Sequence, residues 1–185
     1  ITTSDLTEEQ VEIVKEVHNK TYTLGNRWVK RLEYSFIPIE TLKAHSSPFN
    51  ETGQPNKDNK KFWYFDNGHK EIEQSDHCNT LVTRWTLWER GIAVLGPDIK
   101  TLTYPIDVND LRREIKNTII GWADEILINP EPINNRFYQS YLVLNYSRML
   151  HNLIEGMVDS KAKGIVWAKQ NLDTKWTPLI DFCWE

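Results

Sequence analysis

The sequence predicts an α+β protein that is mostly helical, with a small, incomplete α/β part followed by a C-terminal helical bundle. Three observations carry that reading. Period-two alternation is confined to the early part of the chain, apolar residues recur at helical spacing from Asp76 onward, and turn-forming residues separate these segments. The change of pattern divides the chain into an α/β part, 1–75, and a helical part, 76–185. A length of 185 residues suffices for one ordinary domain or two small ones, and 39% apolar with 26% charged residues is the balance of a chain with a packed core.

The first element is a helix announced by Thr7-Glu8-Glu9-Gln10, a capping-box pattern, and continued by Val11, Val14, Val17 and Tyr22 towards Gly25. Leu32, Tyr34 and Phe36 alternate with Arg31, Glu33 and Ser35, which predicts a strand over 29–37, closed by Pro38. A short helical turn is expected over 39–44, then a polar loop over 45–60. The aromatic run 61–65 (KFWYF) reads as a strand, Asp66-Asn67-Gly68 as a hairpin turn, and 70–73 as the returning strand. Leu81, Trp85 and Trp88 then mark a helix with Gly91 at its end, and the apolar run 92–95 stops at Gly96-Pro97. An extended link over 101–107 leads to a helix capped by Asp107 or Asn109 and carrying Leu111, Ile115 and Trp122. After the break 129–134 (NPEPIN) a long helix is expected over 136–157. A shorter one follows, capped by Ser160 and reaching about Leu172, and a last one starts near Thr177-Pro178. The strands are few for a free-standing sheet, which suggests that part of the sheet lies upstream of Ile1.

Composition narrows the function classes. A net charge of −4 makes the chain a poor generic nucleic-acid binder, since phosphate contacts need clustered Lys and Arg, while a polycationic ligand remains compatible. Two cysteines, Cys78 and Cys183, form no disulfide framework, so reduced thiols in a cytoplasm are expected. No apolar run approaches the roughly 20 residues needed to span a bilayer, and no signal peptide opens the chain. Eight tryptophans are unusual; their flat faces suit sugars and cations, and most also serve as core packing. Trp63, in the aromatic strand, joins the candidates for substrate binding on that ground.

No complete catalytic motif stands out. Phosphate-cradling glycine loops, Gly-x-Ser-x-Gly elbows and His-Glu-x-x-His pairs are absent from the sequence. Asp76-His77-Cys78 offers three potential ligands in a row, but neighbours seldom close one coordination shell and no second cluster has ligand spacing, so no metal site is expected. Glu33 is a candidate general base, a carboxylate fixed on the polar side of a strand; a solvated strand face explains the same pattern.

Three stretches, read in order, carry a resemblance: GNRWVKRLEYSFIPIETLKA over 25–44, ERGIAVLGPDIKTLTYPIDVNDLRREI over 89–115, and YLVLNYSRMLHNLIEGMVDSKAKGIVWA over 141–168. Together they resemble the streptomycin/spectinomycin adenylyltransferases, from about Leu24 to the end. The resemblance implies a nucleotidyltransferase domain, of which 1–75 would be the remainder, and a helical domain that completes the antibiotic and ATP site. It implies ATP and Mg²⁺ as cofactors, the metal held by an Asp-x-Asp pair that follows a Gly-Ser motif. Neither motif occurs in these 185 residues, so the resemblance implies that the chain begins partway through the catalytic domain and is inactive alone. Glu33 in RLEYSF falls at the family's catalytic base. Lys161 after Ser160, and Arg148 in NYSRML, match nucleotide-binding positions. Trp122 matches a drug-binding tryptophan. Tyr138 or a neighbour stands where the family carries a drug-binding Asp, which puts streptomycin itself in doubt as acceptor. The implied partner is an aminoglycoside-like small molecule, and the base and the lysine are expected to face one crevice. The competing expectation is a non-catalytic helical binding module, motivated by the absent metal motif.

Overall fold

The computed structural model describes the chain apart from residues 45–49, 51, 53, 55–58, 67, 68 and 70 and the side chain of Lys30. It is an α+β protein, mostly helical, with one small antiparallel sheet among the described residues. Two compact units form: Ile1–Ser47 with Asp58–Tyr104, and Pro48–Lys57 with Pro105–Glu185. The units separate after Tyr104, whereas the strand-to-helix change of pattern falls near residue 75; the intervening helix packs into the first unit. No described helix is long and apolar enough to cross a membrane.

The first unit opens with helix α1, Glu8–Tyr22, and its capping box is complete. The Thr7 hydroxyl accepts from Gln10 N–H at 3.2 Å, and Gln10 Oε1 accepts from Thr7 N–H at 3.0 Å. Both bonds satisfy donors that the helix start leaves without partners. Thr7→Ala is expected to lower stability by about 1 kcal/mol, read as a shifted urea midpoint at constant slope. An unchanged midpoint would show that the cap carries no weight here.

Strand β1 is only Tyr34–Ser35, followed by α2, Ile39–Lys43. The strand expected over 29–37 is therefore corrected: Val29–Arg31 turns as a 3₁₀ helix, and extended pairing begins after Glu33. The partner strand β2 has just four residues, Phe62–Phe65, and it pairs with β1 in the register Tyr34↔Phe65 and Ser35↔Tyr64. The returning strand β3 is Glu73–Ser75, later than the expected 70–73, and Phe62 faces Ser75 across it. The predicted turn at Asn67-Gly68 lies outside the described residues.

Alternation along β2 sends its side chains to two cores. Phe65 joins Val11 and Ile72, with Trp63, Tyr34 and Phe36 packed around them. Phe62 joins Ile37 and Leu42, with Cys78 and Leu87 beside them. His18 of α1 is buried, stacked on Phe65 at 3.8 Å, with its ring nitrogens bonded to Tyr34 Oη at 2.7 Å and the His69 carbonyl at 3.1 Å. Helix α3, Leu81–Arg90, is capped by the Thr80 hydroxyl and ends at Gly91. The run that follows is open to solvent: Ile92, Val94 and Leu95 are all exposed.

The second unit holds α4 (Val108–Ile128), α5 (Arg136–Glu155), α6 (Lys161–Asn171) and α7 (Thr177–Trp184). Asp107, Asn135 and Ser160 each accept a backbone N–H at a helix start. Gly156 closes α5 in the left-handed conformation, φ +70°, which suits a residue without Cβ. Arg112 of α4 donates to the last carbonyls of α5, Leu153 at 3.0 Å and Ile154 at 2.8 Å, satisfying a C-terminus that lacks internal partners. The core is Ile165 and Ala168 of α6 with Ile180 of α7, against Val143 and Leu144 of α5.

Candidate functional site

In the first unit, the sheet brings Glu33 to residues that are distant in sequence. Glu33 sits just before β1, and Tyr64 lies opposite Ser35 in the β1–β2 register. The buried Tyr64 hydroxyl lies 3.0 Å from Glu33 Oε1 and 3.1 Å from Asp66 Oδ1. Burial, then those two carboxylates, push the Tyr64 pKa far above its usual value, so this hydroxyl stays protonated and acts as a donor. His77, following β3, brings its Nε2 to 3.3 Å from Glu33 Oε1, and its ring lies 5.3 Å from that of Tyr64. Cys78 completes the group. A carboxylate oxygen of Glu33, a ring nitrogen of His77 and Cys78 Sγ all lie within 4.8 Å of one another. Burial raises the Cys78 thiol pKa, the nearby Ser35 hydroxyl opposes that, and the Glu33 charge reinforces it. The thiol is thus protonated in this state and is a poor nucleophile.

The Glu33 side chain is partly exposed, and the Tyr64 hydroxyl lies against one of its oxygens. Trp63 is placed differently. It packs against the Val11, Phe65 and Ile72 core, on the face of β2 opposite Tyr64.

In the second unit, Lys161, Trp122 and Tyr138 are linked by aromatic residues of α5. Lys161, at the first position of α6, sets its Nζ 4.4 Å from the centre of the Tyr141 ring. Tyr141 stacks with Trp122 of α4 at 6.4 Å and with Phe137 at 6.3 Å, and Phe137 meets Tyr138 edge-on at 5.2 Å. Arg148 lies two turns along α5 from Tyr141 and donates to Asn145 Oδ1 at 2.8 Å; Asn145 in turn donates to the Tyr141 carbonyl at 2.7 Å. Burial lowers the Arg148 pKa, and Tyr141 opposes that. The result is a row of flat rings with two cations beside it, one of them opening α6 at the end of the helix where the backbone dipole favours anions.

Tyr141, and the pairing of His77 with Glu33, were not foreseen from the sequence. For Tyr141 a signal existed: Tyr138, Tyr141, Asn145 and Arg148 recur at 3, 4 and 3 residues, one face of a helix. For His77 the signal was its place in Asp76-His77-Cys78, but its partner Glu33 was hidden, because that contact spans 44 positions and depends on strand pairing.

Comparison with known proteins adds one finding. The family model described as the aminoglycoside adenylyltransferase C-terminal domain matches residues 101–185. Neither the curated proteins nor the solved structures gave a match.

Proposed function

We propose, from the premise that residues 101–185 are an aminoglycoside adenylyltransferase C-terminal domain, that the protein carrying this chain transfers AMP from ATP to a hydroxyl of an aminoglycoside-like small molecule. The observation that carries the reading is the Lys161–Tyr141–Trp122 row. It offers an ammonium for phosphate and flat aromatic faces for a cationic sugar in one continuous surface of the second unit.

Lys161 and Arg148 would hold the nucleotide phosphates. Trp122, Tyr138 and Tyr141 would line the acceptor, and the mild negative charge of the chain favours a polycation. Glu33 would take the proton from the attacking hydroxyl, with Tyr64 holding the carboxylate in place. ATP supplies the adenylyl group, and a cytoplasmic setting follows from its use. Mg²⁺ does not fit the described residues. Their one cluster of three potential ligands, Glu33, His77 and Cys78, includes nitrogen and sulfur, whereas Mg²⁺ takes oxygen in octahedral geometry. The same observation supports a second reading, a helical binding module without turnover.

AMP transfer measured on the full-length protein separates the two. Glu33→Gln is expected to lower kcat by about 10²–10⁴-fold, the usual weight of a positioned base. Lys161→Ala is expected to weaken ATP binding by about 10–100-fold, from loss of one charge-assisted contact. Full turnover in the glutamine variant would remove Glu33 from the mechanism. Absence of any transfer across a panel of aminoglycosides by the unaltered protein would leave the binding module.

A further inference from the structure

We propose that Glu33, His77 and Cys78 form a binding site for a thiophilic divalent cation, Zn²⁺ by preference. Carboxylate oxygen, imidazole nitrogen and thiolate sulfur are the three ligand types zinc takes, and three protein ligands leave a fourth position open. The three donor atoms lie within 4.8 Å of one another. Ligand atoms around a tetrahedral zinc, with bonds of about 2.0–2.3 Å, stand roughly 3.2–3.8 Å apart, so closure needs a shift of about 1 Å. Glu33 and His77 are both about half exposed, and their side chains can make that shift by rotation.

The surroundings suit a bound cation. The Tyr64 hydroxyl fixes one Glu33 oxygen, as outer partners of metal-ligating carboxylates do. Binding converts the Cys78 thiol to a metal-bound thiolate and releases its proton to solvent, so affinity rises with pH. The cluster is assembled by the β1–β2–β3 pairing, which is why the adjacent His77 and Cys78 acquire a third partner that sequence spacing does not reveal. The site does not depend on the proposed transfer reaction. If that reaction holds, a cation here also withdraws the Glu33 carboxylate from base catalysis, so zinc inhibits it.

The test is titration of the 185-residue chain with Co²⁺, a spectroscopic substitute for zinc, in a buffer with a non-thiol, non-chelating reductant. A thiolate-to-cobalt charge-transfer band that saturates at one metal per chain, and is bleached by added Zn²⁺, is the expected result. Cys78→Ser should abolish the band, whereas Cys183→Ser, at the buried cysteine of the second unit, should leave it unchanged. His77→Ala changes an exposed side chain and so leaves folding intact; it should weaken cobalt binding at least about tenfold. A chain that shows no band at one equivalent of metal, a band that survives in Cys78→Ser, or unchanged affinity in His77→Ala overturns the proposal. None of these results bears on AMP transfer, so the two readings stand or fall separately.

Discussion

Replacing Arg84 by methionine is expected to destabilise the protein by roughly 3–5 kcal/mol, a third or more of the stability of an ordinary domain. Arg84 is fully buried in the first unit, and its guanidinium meets at least five acceptors among the described residues. Nε donates to the Leu42 carbonyl at 3.0 Å and Nη1 to the Thr80 carbonyl at 3.0 Å. Nη2 lies 2.7 Å from the Thr41 carbonyl, 2.9 Å from that of Ala44 and 2.8 Å from Asn79 Oδ1. Those carbonyls belong to the last turn of α2, where a helix lacks internal donors, and to the cap of α3. Methionine fills the volume but strands the carbonyls away from water, at about 1–3 kcal/mol for each that finds no substitute. Lysine carries the charge but not the planar fork, so Arg84→Lys should recover only part of the loss. Urea denaturation measures both. A methionine variant within about 1 kcal/mol of the parent would mean that water replaces the guanidinium.

Gly164→Ala is the second large effect, and its sign opposes helix propensity. In an exposed helix the change would add up to about 1 kcal/mol of stability. Here a Cβ on Gly164 would lie 2.5 Å from Arg148 Cα, 2.7 Å from Arg148 N and 3.0 Å from Arg148 Cβ. These are backbone atoms of α5, or bonded directly to them, so no rotamer change relieves the contact. The helices must part, loosening Ile165 and Ala168 from Val143 and Leu144. A net loss of about 1–3 kcal/mol is expected, with a lowered Tm. Because the clash falls on Arg148, ATP affinity should fall too if the proposed role holds. A more stable Gly164→Ala protein would show that α5 and α6 do not approach so closely.

The features legible in the sequence were those with local causes. Thr7, Asp107 and Ser160 announce helix starts because the side chain that caps a helix lies within three residues of the N–H it serves. Gly156 follows the last turn of α5 for a similarly local reason, although the periodic pattern carried that helix two residues further, to Met157. The strand expected over 29–37 was overextended because alternation records which residues are apolar, not which find a partner. Only two of those residues pair in β1, opposite Phe65 and Tyr64 of the four-residue β2. Glu33 stood out as a carboxylate beside an apolar strand, but its company did not. Tyr64, His77 and Cys78 reach it through strand pairing across more than thirty positions. On α5 the recurrence of Tyr138, Tyr141 and Arg148 on one helix face is a local signal that the sequence carries.

The Tyr64 hydroxyl has two carboxylate neighbours but a single hydrogen, and it cannot give that hydrogen to both Glu33 and Asp66 at once. A rotation of the O–H by a fraction of a turn therefore decides which of the two carboxylates receives it. A charge arriving near Asp66 would thus be felt at Glu33 with no backbone movement, carried by the swing of one proton.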